Sequence, residues 1–421
     1  MGIRIQGSND TILATDGSWN AEGIDLSAGL NVGTAVTVSA RGDIAITGII
    51  TASSFSGVDS DKISENNTQV ETVDTGSDGH ITFDTDGTEA ARFDPSQRLL
   101  IGHTSSVGKD RQVQLVGTSA DASTYMAFRH VDSGDGPRFE LVKSRSGSAG
   151  SFTIVQSGDG LGSIDWLGDD GVDTQSQAAA IACEVDGTPG GNDMPGRLLF
   201  KTTGDSAASP TERLRIDSSG RILQGSSTGR NTALMAAQPT YQLEGTSSNT
   251  SNFGVFCNSN GSAAGGLIFG KTRGGAVGGT TVVQSGDSLG HISFEGSDGS
   301  AQRVGARITA AVDGTPGSSD MPGRLMFFTT PDGSATEVER LRIDSSGHTL
   351  PGADNTYDLG SYSKRWANVH SMDLNLSNEG SQNDVDGSWG SYTIQEGEDD
   401  LFLLNRRNGK KYKFNLTEVK D

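Results

Sequence analysis

Residues 210–225 read Pro-Thr-Glu-Arg-Leu-Arg-Ile-Asp-Ser-Ser-Gly-Arg-Ile-Leu-Gln-Gly, and the fold turns on how this stretch is read. Leu214 and Ile216 alternate with Arg213 and Arg215, the period of two that belongs to a β-strand. The run stops at Asp217-Ser218-Ser219-Gly220, residues suited to a tight turn, and a second short strand closes on Gly225. The unit returns as EVERLRIDSSGHTLPG at 337–352 and, in worn form, as GTEAARFDPSQRLLIG at 87–102. Three strand–turn–strand units predict a repetitive all-β chain. Leu214, Ile216, Leu341 and Ile343 are expected to face a core. Arg213, Arg215, Arg340 and Arg342 are expected to point outward, forming ion pairs with Glu212, Asp217, Glu339 and Asp344.

Around these units lies a longer duplication. Leu115–Gly117 matches Leu243–Gly245, and Val155–Asp159 matches Val283–Asp287, each 128 residues apart. From Asp186 and Asp313 onward the offset is 127, and 27 of 40 positions are identical. The lost residue therefore falls between Asp159 and Asp186, where a loop can absorb it. Residues 103–225 and 226–352 read as two copies of one β-sandwich-like module, and 76–102 as the tail of a third. Asp-Gly-Thr-Pro-Gly, common to both copies, is turn chemistry.

The flanks differ. Residues 1–57 carry apolar pairs two apart (Ile24/Leu26, Val36/Val38, Ile44/Ile46) between small residues, which suggests a β-prism or an intertwined β-helix. Residues 58–102 are read as a linker and a partial repeat, with room for one short helix from Ser60. Residues 353–421 are not a repeat. They hold Trp366, Trp389 and Tyr392, then six Lys/Arg after Asn405, with a hairpin expected at Asn408-Gly409.

Composition narrows the function. Among 421 residues, 33% are hydrophobic, 6% are aromatic and 59 are glycine. One chain offers little apolar surface against its conformational entropy, so an obligate oligomer with a shared core is expected. The net charge of −21 argues against nucleic acid as a partner. No apolar run approaches the ~20 residues of a membrane span, and Met1–Gln6 does not begin a signal peptide, so no membrane insertion or self-directed export is expected. Cys183 and Cys257 occupy non-equivalent repeat positions and are poor disulfide partners.

At this point a family resemblance emerges. Repeated ERLRIDSSG with a Gly-terminated strand resembles the shafts of phage tail fibre proteins, and so does ADNTYDLGSYSKRWANVHSMDLNLS at 353–377. GSWGSYTIQEGEDDLFLLNRRNGKKYKFNLTEV at 387–419 is similar to the carboxy-terminal module of tail fibres from marine cyanobacterial and related phages. The resemblance implies an elongated homotrimeric fibre, made in the host cytoplasm and carried on the virion tail. Its N-terminal segment would dock a tail adaptor, nozzle or other virion protein, and its C-terminal region would meet a host surface glycan or protein. Many such fibres continue into a self-cleaving chaperone. Here 55 residues follow Trp366, which implies trimerisation through the chain's own β structure or a separate assembly factor.

Chemistry is sparse. Six histidines show no ligand spacing, so no metal site is expected, and Asp84-Thr85-Asp86-Gly87 reads as a turn. No nucleophile elbow, P-loop or dinucleotide fingerprint is present, so neither a catalytic residue nor a cofactor is assigned and the chain is not read as an enzyme. Two alternatives stand: a tailspike depolymerase using two of the 53 acidic residues, and a structural head or tail decoration protein. The receptor-binding candidates are Trp389, Tyr392, Arg406 and Arg407. Aromatic rings beside guanidinium groups suit a glycan; they equally suit the core of a trimeric cap.

Overall fold

The computed structural model describes residues 61–74, 76 and 78–419. The expected attachment segment, 1–57, lies outside the described residues. The chain divides into two compact units, 1–128 and 129–421.

The described part of the first unit holds one sheet whose six strands lie in chain order: β1 (Asp61–Glu65), β2 (Thr68–Val73), β3 (His80–Thr85), β4 (Thr88–Phe93), β5 (Leu99–Ile101) and β6 (Val113–Leu115). Neighbours are antiparallel except the parallel pair β5–β6. The expected linker or helix near Ser60 is instead the β1–β2 hairpin, turning at Asn66 with φ 55°. Asparagine enters this left-handed region at low cost, and Val70 alternates with polar neighbours on β2. Asp86 and Gly87 form the turn between β3 and β4, as their sequence suggests.

The second unit repeats the design. Its first sheet runs β7 (Gly160–Gly168), β8 (Ser176–Val185), β9 (Gly196–Thr202), β10 (Thr211–Ile216), β11 (Ile222–Gln224) and β12 (Tyr241–Leu243), the last pair again parallel. Its second runs β13 (Ser288–Ser297), β14 (Gln302–Val312), β15 (Gly323–Thr329), β16 (Val338–Ile343) and β17 (Thr349–Pro351), with no sixth strand. The offset changes at the first hairpin of each sheet, through a loop of 169–175 in one and 298–301 in the other. β6 and β12 lie beyond the ends of the sequence units, so each six-stranded sheet takes its last strand from the next repeat.

The turn between β10 and β11 obeys its sequence. Gly220 adopts φ 76° and its N–H donates to the Asp217 carbonyl at 2.9 Å. The Asp217 carboxylate accepts the Ser219 and Arg221 amides and pairs with the Arg221 guanidinium at 2.6 Å.

The two faces of each sheet depart from expectation. Leu214 and Ile216 do share a face, but in the single chain that face stands open: Ile164, Trp166, Leu198 and Ile216 are all exposed on it, and so are Ile292, Phe294, Leu325 and Leu341 in the next sheet. The opposite face is the closed one. There Arg215, expected outside, is 9% exposed in a cross-strand row with Leu199 and Leu223, which are 1% exposed. The aliphatic stem of Arg215 packs in this row while its guanidinium meets Glu212 through two bonds of 2.5 and 2.6 Å. Arg92–Glu89 and Arg342–Glu339 repeat this pair. Arg213, at a bulge, instead donates to the Thr202 hydroxyl at 2.9 Å. Within one chain each repeat forms a single sheet rather than the two facing sheets of the expected sandwich.

Candidate functional site

The third sheet of the second unit carries every candidate. Its strands are β18 (Leu374–Ser377), β19 (Ser391–Glu396), β20 (Leu401–Asn405) and β21 (Lys411–Lys413), all antiparallel. Arg406 to Lys410 connect β20 to β21, with Gly409 at φ 69°, so the hairpin expected at Asn408-Gly409 is present. The Asn405 N–H donates to the Lys410 carbonyl at 2.9 Å and closes this turn.

Around that turn Arg407 lies over the indole of Trp389, its guanidinium carbon 3.8 Å from the ring centroid. One Nη also donates to the Trp389 carbonyl, fixing the cation over the ring. Beneath them Asn405 acts as a bracket. Its side-chain oxygen accepts the Arg407 N–H at 2.9 Å, and its Nδ2 donates to the Tyr392 hydroxyl at 3.0 Å. Tyr392 stands opposite Asn405 across the β19–β20 ladder, which explains the reach of that bond.

Arg406 goes elsewhere. Its Nε donates at 2.8 Å to the hydroxyl of Thr393, which is fully buried and itself donates to Asn375 at 2.6 Å. Tyr392 and Thr393 are consecutive on a strand and so face opposite sides of the sheet. The structure thus joins Trp389, Arg407 and Tyr392 and places Arg406 in a separate polar row.

The loop before β19 is stiffened by Asn383 and Asp386. Asn383 accepts the amides of Val385 and Asp386, while Asp386 accepts the Ser388 hydroxyl at 2.6 Å and the Ser388 amide at 3.0 Å. These bonds, with the Asn383 amide, hold the Asp386 carboxyl at about 2. Lys413 pairs with Asp400 at 2.7 Å across the other end of the sheet. Asn405, Thr393 and Asn375 carry the arrangement and were not singled out from sequence. The available signal was an asparagine ending the apolar run Leu401-Phe402-Leu403-Leu404.

The turn thus presents a half-buried indole, a guanidinium with donors left after one bond to the backbone, and a phenol held by Asn405. A separate polar cleft of about 720 Å³ opens beside β12 and β13, lined by Arg230, Gln242, Glu244, Glu295 and Gln302. Its Glu295 carboxylate is engaged by the Ala233 and Leu234 amides at 2.7 and 3.1 Å. Among the described residues no group of three His, Cys, Asp or Glu side chains could hold a metal ion, and both cysteines are free. No described helix is long and apolar enough to cross a membrane.

No protein-family model matches the chain, and no curated protein matches it. Solved structures do. The carboxy-terminal domain of the bacteriophage T5 L-shaped tail fibre, with its intra-molecular chaperone domain, matches with a TM-score of 0.52 at 16% identity, over 63% of this chain and 72% of that one. The same domain alone gives a TM-score of 0.49 at 16% identity, over 59% of this chain and 98% of that one. The chain is an all-β protein with a phage tail fibre fold.

Proposed function

We propose that this chain is a tail fibre of a phage virion that binds a host surface glycan through its C-terminal sheet, without bond chemistry. The observation that carries the site is the Arg407–Trp389 stack, braced from below by Asn405 and Tyr392. A ring fixed by a backbone-anchored guanidinium is preorganised: little entropy is lost when a sugar stacks beside it, and the remaining N–H groups suit hydroxyls or an acidic substituent. Arg406 would flank the site from the other face of the sheet. The fibre is a homotrimer, a reading supported by the open apolar faces of its sheets. Several weak sites presented together then raise the effective concentration. Residues 1–57, outside the described residues, would dock an adaptor, nozzle or other tail protein.

The test is adsorption of virions to host cells with Trp389→Ala and Arg407→Ala fibres. Adsorption should fall at least tenfold while the melting temperature of the purified fibre stays within about 2 °C, as a surface change permits. Normal adsorption by both variants removes the C-terminal sheet from the binding role.

A further inference from the structure

The loop between β11 and β12 departs from its counterpart in the preceding sheet. Residues 102–112 join β5 to β6, whereas residues 225–240 join β11 to β12 and are five residues longer. Both loops start at a glycine of positive φ and are anchored by a buried glutamine. Gln114 accepts the Val107 amide at 2.9 Å, and Gln242 accepts the Arg230 amide at 2.8 Å. The longer loop adds a turn of its own, closed by the Thr232 N–H on the Ala237 carbonyl at 3.0 Å. Ala236 in this turn has φ 50°, a left-handed conformation that alanine enters only at a cost. The turn is tethered to the next sheet, where the Glu295 carboxylate of β13 accepts the Ala233 and Leu234 amides. Leu167 stands at the matching position of β7 and can make no such bond.

This tether forms one wall of the polar cleft beside β12 and β13. The volume of about 720 Å³ lies inside the roughly 300–1,000 Å³ of small-ligand sites. Asn231 on the loop and Gln302 on β14 line it, and neither carboxamide has a hydrogen-bond partner among the described residues. Gln302 shares a sheet face with Glu295, because Gln302 pairs with Ser297 and Val304 with Glu295. Each free carboxamide offers two donors and an acceptor, which the neighbouring hydroxyl groups of a sugar ring satisfy. Arg230 is committed to Glu244 through one Nη, and Glu244 also accepts the Gln242 Nε2 at 2.8 Å. With Glu295 added, carboxylates outnumber the guanidinium in the cleft, which disfavours an acidic ligand.

We infer that this cleft binds a neutral saccharide, with Asn231 and Gln302 as its hydroxyl-binding groups and Glu295 as the positioning residue that holds the loop. The fold itself does not need the device, since the sheet of the first unit gains its sixth strand through the shorter loop. The Trp389 site lies on another sheet and keeps spare guanidinium donors, so the two sites suit different sugars. Linked weak contacts of this kind raise the effective concentration. The inference goes beyond the reading of the C-terminal sheet and does not depend on it.

The experiment is saturation-transfer NMR on the full-length protein with glucose, galactose, mannose and N-acetylglucosamine, and with glucuronate as the acidic counterpart. Transfer to at least one neutral sugar is expected. Its apparent affinity should fall about tenfold in Asn231→Ala and in Gln302→Ala and stay unchanged in Trp389→Ala. Both carboxamide variants should melt within about 2 °C of the parent, since neither side chain bonds to the fold. Gln302→Glu, equal in shape but without the amide donors, should lose affinity as the alanine variant does. Transfer to none of the neutral sugars, or more strongly to glucuronate than to any of them, overturns the inference. Neutral-sugar transfer that survives both carboxamide substitutions also overturns it. If that transfer disappears in Trp389→Ala, the sugar sits on the C-terminal sheet, and the proposed function stands while this site falls.

Discussion

The Asp186 carboxylate accepts the amide of Ser218 at 2.8 Å, and 127 residues later the Asp313 carboxylate accepts the amide of Ser345 at the same distance. Each aspartate ends a long strand and ties it to the turn after the ERLRI strand, 32 residues away. Arg197 and Arg324 complete the two latches at 3.0 and 2.8 Å.

Replacing Asp186 by Ala should therefore destabilise the first sheet of the second unit, because it strands the Ser218 amide and half of the Arg197 fork. Loss of such a partly buried partner costs about 1–3 kcal/mol per chain. Thermal melting followed by circular dichroism checks it. A Thr203→Ser control, which keeps the hydroxyl that donates to the Gln177 carbonyl, should melt near the parent.

Gly225 and Gly220 make a sharper pair. Both have positive φ, 77° and 76°, but a Cβ on Gly225 would sit 2.0 Å from the carbonyl oxygen of Glu244, the residue after the parallel strand β12, and one on Gly220 would meet nothing. Gly220→Ala should cost about 1 kcal/mol from backbone strain alone, and Gly225→Ala clearly more, since the β11–β12 pair must also part. Equal denaturation midpoints for the two variants would refute the close approach.

Phe294 lies on the open apolar face of its sheet, 54% exposed in one chain. If copies cover that face, Phe294→Asp should weaken the assembly by about 2–5 kcal/mol per chain, while Phe294→Leu should change little. The dissociation temperature by light scattering reads this directly. An unchanged value for the aspartate variant argues that the face remains in water.

Stability should fall in acid, and the sign follows from the carboxylates. Asp170 and Asp386 are lowered from an ordinary 3.8 to about 2, the first by the Asp173 amide, the Ser176 hydroxyl and the Val172 amide, the second by Ser388 and Asn383. Arg145 and Arg273 likewise hold Asp159 and Asp287 below the usual carboxylate range. A depressed folded-state value gives stability that is complete above the unfolded value and is lost as pH falls through the folded one. Melting temperature should thus be level above about pH 5 and drop between about 4 and 2. Asp386→Asn should reduce that drop, and a parent curve that is flat to pH 2 contradicts the assignment.

Much of the fold was legible because its signals are local. The ERLRI strands, the Asp217 and Asp344 turns, the Asn408-Gly409 hairpin and the one-residue loss in a hairpin loop all follow from period-two patterning and turn chemistry. The β1–β2 hairpin was missed because its strands are mostly polar, so their alternation is faint against the flanking Asn, Ser and Asp residues. Of the candidate site, the aromatic and cationic residues were visible in sequence. Asn405 was not, because a bracket between a tyrosine and an arginine has no spacing of its own.

The sequence by itself determined where strands begin and end, that two repeats exist, and that each strand has two unlike faces. Only the tertiary structure decided which face is closed: Arg215 lies in the covered row and Ile216 on the open one, the reverse of what polarity alone suggests. It also decided that Arg407 stacks on Trp389 while Arg406 turns to Thr393. Alternation fixes the contrast between faces within a strand. Burial depends on which distant segments arrive to cover a face, and those contacts leave no periodic trace in the chain.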